Sequence, residues 1–73
     1  MNKQQVEAIA KYASDLQISI HWNKAGASNQ EAGGEPERAA ISRRIAEESE
    51  TQLRTVFDLT NILGITDRVK DQM

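Results

Sequence analysis

The feature that most constrains this chain is an apolar stripe near its N-terminus. Five apolar residues follow one another at spacings of three and four: Val6, Ile9, Ala13, Leu16 and Ile20. That spacing places all five on one side of an α-helix and is typical of a helix that packs along a single face. It predicts a first helix over about residues 3–22, with Asn2 as a suitable N-cap.

The C-terminal part of that stripe also fits a second interpretation. Ile18, Ile20 and Trp22 alternate with polar neighbours, and a period of two is typical of a strand. The same residues fit a helix, because Ile18 and Trp22 are four positions apart. We favour the helix, since a single short strand has no partner elsewhere in the chain.

A second helix is predicted from Pro36 onwards. Proline suits the first helical turn, and the flanking Glu35 and Glu37 suit a helix N-terminus. No Gly or Pro interrupts the chain again until Gly64, so we expect a helix over about residues 36–63. A polar tail over residues 64–73 follows, in which Thr66 is placed to start one last short helical turn that frays easily.

A loop is predicted between the two helices, over about residues 23–35. The segment is rich in Gly, Ala, Ser and Asn, a composition typical of flexible connections. It is longer than the usual helix–helix connection of about two to eight residues. Two interpretations remain open, one in which the extra length is slack and one in which the loop borders a ligand site.

Size and the lack of cysteine indicate self-assembly. The chain has 73 residues, no cysteine and one histidine, so one small domain over residues 1–73 is expected, without disulfides or a metal site. Two helices enclose little core, and oligomerisation is a common remedy. We therefore expect an all-α helical hairpin that forms a dimer or a higher homo-oligomer. The residues expected in the oligomer core are Leu16, Ile20, Leu53, Val56 and Leu63.

Charge and hydropathy exclude several classes of function. The net charge of −2 is unlike that of proteins that bind DNA or RNA through the phosphate backbone. No apolar run is long enough to cross a membrane or to form a signal peptide, so we expect a cytoplasmic protein. His21 is the only histidine and has no evident catalytic partners, so neither enzymatic activity nor a cofactor is expected.

The middle of the second helix carries no apolar residue over "EESETQ", residues 47–52. One interpretation is a solvated stretch with ion pairs four residues apart, such as Arg43–Glu47 and Glu50–Arg54. The alternative is that Ser49 and Thr51 line a polar interface.

A set of charged and aromatic residues is consistent with a nucleotide ligand. Arg38 and Arg43 lie near a helix N-terminus, where guanidinium groups and backbone N–H groups favour phosphate, and Lys24 adds a third cation. Tyr12 and Trp22 offer flat surfaces on which a base can stack. The competing interpretation is that both aromatic residues pack against the other helix and that the cations are solvated.

The second helix resembles a known group of proteins. "EPERAAISRR", followed by "TQLRTVFDLTNILG", is similar to the C-terminal helix of small phage proteins that sequester immune signals in the CBASS and Thoeris defence systems. The resemblance covers residues 35–38 and 51–63. It implies a helical oligomer in the host cytoplasm that holds a cyclic nucleotide or cyclic ADP-ribose between protomers, with Tyr12 on a base and Arg38 or Arg43 on phosphate.

A second class of function remains open. A helical hairpin with exposed apolar positions is also typical of an adaptor or inhibitor that docks on a groove of a host protein. The sequence itself names neither the ligand nor the protein partner.

Overall fold

A computed structural model describes all 73 residues. The chain forms three α-helices and no strand. They are α1 (Lys3–Ala32), α2 (Pro36–Ile62) and α3 (Thr66–Gln72). The two long helices form an antiparallel hairpin, and the whole chain is 48 Å long and 14–18 Å across. The predicted all-α fold is confirmed.

The predicted loop over residues 23–35 is wrong, because α1 continues through Ala32 and leaves only three residues before α2. The segment between Trp22 and Gly33 contains three alanines, a lysine, a glutamine and a glutamate, all of which favour helix. Asn23, Ser28 and Asn29 favour helix less, and Gly26 favours it least, at a cost of about 1 kcal/mol relative to alanine. In this segment Ala27 is buried, and Asn23, Gly26 and Gln30 are half-buried, so this part of α1 packs on α2.

Both interhelical turns use the same glycine motif. At the end of α1, Gly34 has φ 75° and donates its N–H to the Glu31 carbonyl, while Glu35 donates to the Gln30 carbonyl. At the end of α2, Gly64 has φ 70°, and the same pair of bonds reaches back to Asn61 and Thr60. A left-handed glycine with these two bonds ends a helix sharply, so both reversals are encoded by glycine position.

We call the line along which α1 and α2 face each other the seam. Its α2 side follows an unbroken spacing of three and four through Ala39, Ser42, Ala46, Ser49, Leu53, Val56 and Thr60. All of these positions are buried or half-buried. On α1 the same spacing continues past Ile20 through Asn23, Ala27 and Gln30, none of which is exposed. The heptad pattern therefore extends through the segment predicted as a loop.

The seam differs between its two ends. In the distal half, residues 17–52, it consists, beyond Ile20, of alanines and of hydroxyl and amide side chains. The Ser19 and Ser49 hydroxyls lie 3.0 Å apart, and the Ser42 hydroxyl donates to the Gln30 amide oxygen at 2.8 Å. A Cβ at Gly26 would lie 4.0 Å from the Ser42 hydroxyl oxygen, so the two backbones run close together there.

The proximal half, residues 1–16 and 53–73, holds the apolar core. Val6 and Ala10 of α1 pack with Ile65 and Val69, and Phe57 covers the cluster. Val69 is completely buried, so α3 is docked on the hairpin rather than frayed. The third helix thus supplies part of the core that a two-helix hairpin lacks.

The residues predicted for the oligomer core divide into two groups. Leu16 is buried, and Ile20, Leu53 and Val56 are half-buried, within the seam of a single chain. Leu63 is 58% exposed. The spacing of three and four identified a packed stripe, but the first partner of that stripe is the other helix of the same chain.

Candidate functional site: the open face of the hairpin

Two long faces flank the seam, and their compositions differ. In an α-helix, successive residues are about 100° apart, so each seam position has one neighbour on either side. One side of the hairpin carries α3 in the proximal half and ion pairs in the distal half. We call this side the charged face and the opposite side the open face.

The charged face carries ion pairs between the two helices. Lys24 of α1 pairs with Glu50 of α2, and Arg43 of α2 pairs with Glu31 of α1. One interpretation of the sequence paired Arg43 with Glu47 and Glu50 with Arg54 along α2. In the structure Arg43 and Glu50 instead pair with residues of α1 across the seam. Because α1 extends to Ala32, its Glu31 comes within reach of Arg43.

The open face has few charges and many exposed apolar side chains. By helical position it carries seven of the ten large hydrophobic residues that the structure leaves exposed: Tyr12, Trp22, Ile41, Ile45, Leu59, Ile62 and Leu63. Of the remaining three, Met1 and Met73 are the chain termini, and Ile18 points away from α2. An exposed apolar surface concentrated on one side of a small protein is typical of a contact surface.

The proximal part of the open face forms a groove of about 360 Å³ between α1 and α2. Its walls are almost entirely apolar, and six of its lining residues are Ala8, Ile9, Tyr12, Val56, Leu59 and Leu63. The groove is open to solvent along one side, so its shape suits an apolar side chain from another surface better than an enclosed ligand.

The distal part of the open face carries a second apolar cluster. Ile41 and Ile45 are one helical turn apart on α2. The Ser19–Ser49 and Lys24–Glu50 contacts place Trp22 of α1 level with about residue 48, roughly one turn nearer the groove than Ile45. Trp22 is 69% exposed and meets His21 edge-on, with ring centroids 6.0 Å apart. Between the two clusters the face carries mainly polar residues, among them Asp15 and Gln52, and Glu48 lies at the level of Trp22.

The five residues predicted to bind a nucleotide do not converge within one chain. Tyr12 and Trp22 share the open face, but about 15 Å of helix separates them at ~1.5 Å per residue. Lys24 and Arg43 lie on the other face, each paired with a carboxylate. Arg38 lies 3.6 Å from Glu35 at the start of α2. Neither aromatic residue packs in the seam, since both are exposed.

Ser49 and Thr51, the two residues of α2 that one interpretation placed in a polar interface, differ in their surroundings. Ser49 is 6% exposed and contacts Ser19 across the seam, as expected of a residue that lines a polar interface. Thr51 is exposed and donates its hydroxyl to the Glu47 carbonyl of its own helix. The interface lies between two helices of one chain.

Sequence reasoning missed Ile41, Ile45, Leu59 and Ile62 as members of a functional surface. On α2, Ile45 and Leu59 are two heptads apart, with Gln52 between them, and both lie next to seam positions. The signal was present in the sequence. It can be recognised only when the seam is known to pass through Ala39, Ala46 and Ser49.

Neither a metal centre nor a membrane span is found. No group of three or more His, Cys, Asp or Glu side chains is placed to hold a metal ion. None of the three helices combines the length and the apolar character needed to cross a bilayer. No protein-family model, curated protein or solved structure matches the chain.

Proposed function

We propose that this chain is a non-catalytic protein-binding module whose contact surface is the open face. The observation that carries the proposal is the segregation of seven exposed apolar side chains on one side of the hairpin. The function is that of the helical adaptor or inhibitor, which docks apolar helix positions against a partner.

The two faces support this choice over anion binding. On the charged face, the carboxylates of Glu31 and Glu50 compete with any anion for Arg43 and Lys24. On the open face, the groove beside Leu59 has almost no polar lining with which to orient a nucleotide. Apolar side chains of a protein partner match that lining.

Site-specific photo-crosslinking tests the proposal. A benzophenone amino acid replaces Leu59 on the open face in one variant and Arg54, towards the charged face, in a matched variant. Both variants are expressed in the cells that naturally make the protein and are irradiated there. We expect adducts of discrete mass from position 59 and few or none from position 54.

The mass of the adduct also identifies the class of partner. An adduct of twice the chain mass is a second copy, and any other discrete mass is a different protein. Equal adduct yields from the two positions, or no adduct from position 59, would refute the open face as a contact surface.

Sequestration of a cyclic nucleotide or of cyclic ADP-ribose remains a prediction. It requires a site assembled from more than one chain, because Tyr12 and the arginines do not meet in one protomer. A panel of these ligands in a thermal-shift assay checks it. The expected sign of binding is a rise in melting temperature that Arg38→Ala abolishes, with the unliganded melting temperature nearly unchanged.

A further inference from the structure

We propose that the partner on the open face is a second copy of this chain, arranged antiparallel so that the distal apolar cluster of each copy covers the proximal groove of the other. The proposal rests on the open face being a contact surface. It adds the identity of the partner and the orientation of the complex.

The isolated chain buries mainly small apolar side chains and leaves most of its large ones exposed. Five of the nine buried apolar residues are alanines, and the largest side chains that are fully buried are those of Val69 and Thr60. Ten large hydrophobic residues remain exposed. A chain of 73 residues without disulfides has few other ways to gain stability, and a second copy is always present at the concentration of the first.

The open face is self-complementary about its middle. The groove around Leu59 and Tyr12 lies near one end of the hairpin, and the cluster of Ile41, Ile45 and Trp22 lies near the other. A two-fold axis through the polar residues between them places the groove of each copy on the cluster of the other copy. This is the isologous arrangement expected of a homodimer. A parallel arrangement would instead place one open groove on another and leave its volume unfilled.

The size of the face suits a stable dimer. A hairpin 48 Å long and 14–18 Å across offers on the order of 700–900 Å² on one side. A standard specific interface takes about 800 Å² from each partner. Nearly the whole open face is therefore needed, which agrees with apolar clusters at both of its ends.

Sedimentation equilibrium of the full chain tests the identity of the partner. The parent protein should dimerise at micromolar concentration. Leu59→Glu should raise the dimer dissociation constant about tenfold or more, because each dimer would bury the new carboxylate twice. Ile18→Glu is the matched control. The two side chains are almost equally exposed, 54% for Ile18 and 55% for Leu59, but Ile18 lies on the side of α1 that faces away from α2. Ile18→Glu should change the dissociation constant less than about threefold.

A spin label tests the orientation. The chain has no cysteine, so Asn29→Cys carries a single label near the hairpin turn. Two labels in an antiparallel dimer lie about 40 Å apart at ~1.5 Å per residue, whereas a parallel dimer brings them within about 20 Å. A distance distribution centred near the longer value supports the proposal. One centred near the shorter value overturns the antiparallel arrangement.

Failure of this inference is distinguishable from failure of the proposed function. A parent chain that remains monomeric up to millimolar concentration overturns the second copy as partner. Crosslinks from position 59 to a different protein would then leave the open face standing as a contact surface. Equal weakening of the dimer by Leu59→Glu and Ile18→Glu would overturn the placement of the interface.

Discussion

The two halves of the hairpin are stabilised by different means. The proximal half buries branched side chains against a third helix, and Val6, Ile65 and Val69 are nearly inaccessible there. The distal half has no third helix, and beyond Ile20 its seam consists of alanines and polar side chains. We infer that the proximal half supplies most of the stability of the isolated chain. The distal half extends the seam so that Ile41, Ile45 and Trp22 lie in line with the groove.

The comparison also explains the polar distal seam. Ser19–Ser49 and Ser42–Gln30 contribute little net free energy, about 0.5–1.5 kcal/mol each. Each of these side chains has a specific partner on the other helix, however. Sliding α1 along α2 by one turn would leave these polar groups without a hydrogen bond. Polar seam positions of this kind specify register at a cost in stability.

The largest expected effect is in the proximal half. Val69→Asp should lower the free energy of unfolding by about 3 kcal/mol or more, because a buried carboxylate has no partner there and expelling it undocks α3. Urea denaturation followed by circular dichroism measures the change. Gln72→Asp, at an exposed position of the same helix, should cost less than about 1 kcal/mol. Comparable losses for the two variants would show that α3 is not part of the core.

In the distal half, an enlarged side chain tests how closely the helices approach. Ala46→Leu should cost about 1–3 kcal/mol, because Ala46 is 2% exposed and its neighbours in the seam are small. The neighbouring exposed position provides the control, and Glu47→Leu should change stability by less than about 0.5 kcal/mol. Chemical denaturation of both variants gives the difference. If Ala46→Leu stabilised the protein, the distal seam would be loosely packed.

A glycine substitution separates a continuous α1 from a loop. Gly26→Ala should stabilise the protein by about 0.5–1 kcal/mol, because alanine favours helix and its Cβ meets only ordinary contact with Ser42. Gly34→Ala should instead destabilise it, since φ 75° strains any residue with a Cβ. Melting temperatures of the two variants should therefore move in opposite directions. A loop at residues 23–35 would make Gly26→Ala neutral.

The smallest expected effect is on the charged face. Arg43 and Glu31 are each about half exposed, so a double-mutant cycle with Arg43→Ala and Glu31→Ala should give a coupling free energy of about 0–1 kcal/mol. The coupling should fall further in high salt, because screening weakens exposed pairs. A coupling well above this range would mean that the charged face, and not only the seam, fixes the distal half.

Much of the fold could be predicted from local chemistry. Pro36 and Gly64 set the limits of α2, and the apolar spacing from Val6 to Ile20 identified the start of α1. The predicted end of α1 is wrong because small and polar residues, which are typical of flexible loops, also suit a close interhelical seam. Only the position of Asn23, Ala27 and Gln30 within the heptad distinguishes the two structures.

The candidate site was less predictable. As cations, Arg43 and Lys24 suit a phosphate ligand, but each has a carboxylate partner on the opposite helix. These partners cannot be assigned without the register of the hairpin. Ile45 and Leu59 are unremarkable as single residues. Their common face follows from the seam, so the contact surface could be recognised only once the seam was assigned correctly.

In the proposed complex the open face is covered by another protein surface, that of a second copy of the chain. Trp22 reports on this directly, since it is the only tryptophan and is 69% exposed in the single chain. We predict that iodide quenching of its fluorescence decreases several-fold as the concentration rises from nanomolar to millimolar. In Leu59→Glu, quenching should remain high over the same range. Equally strong quenching of the parent at every concentration would contradict self-association through the open face.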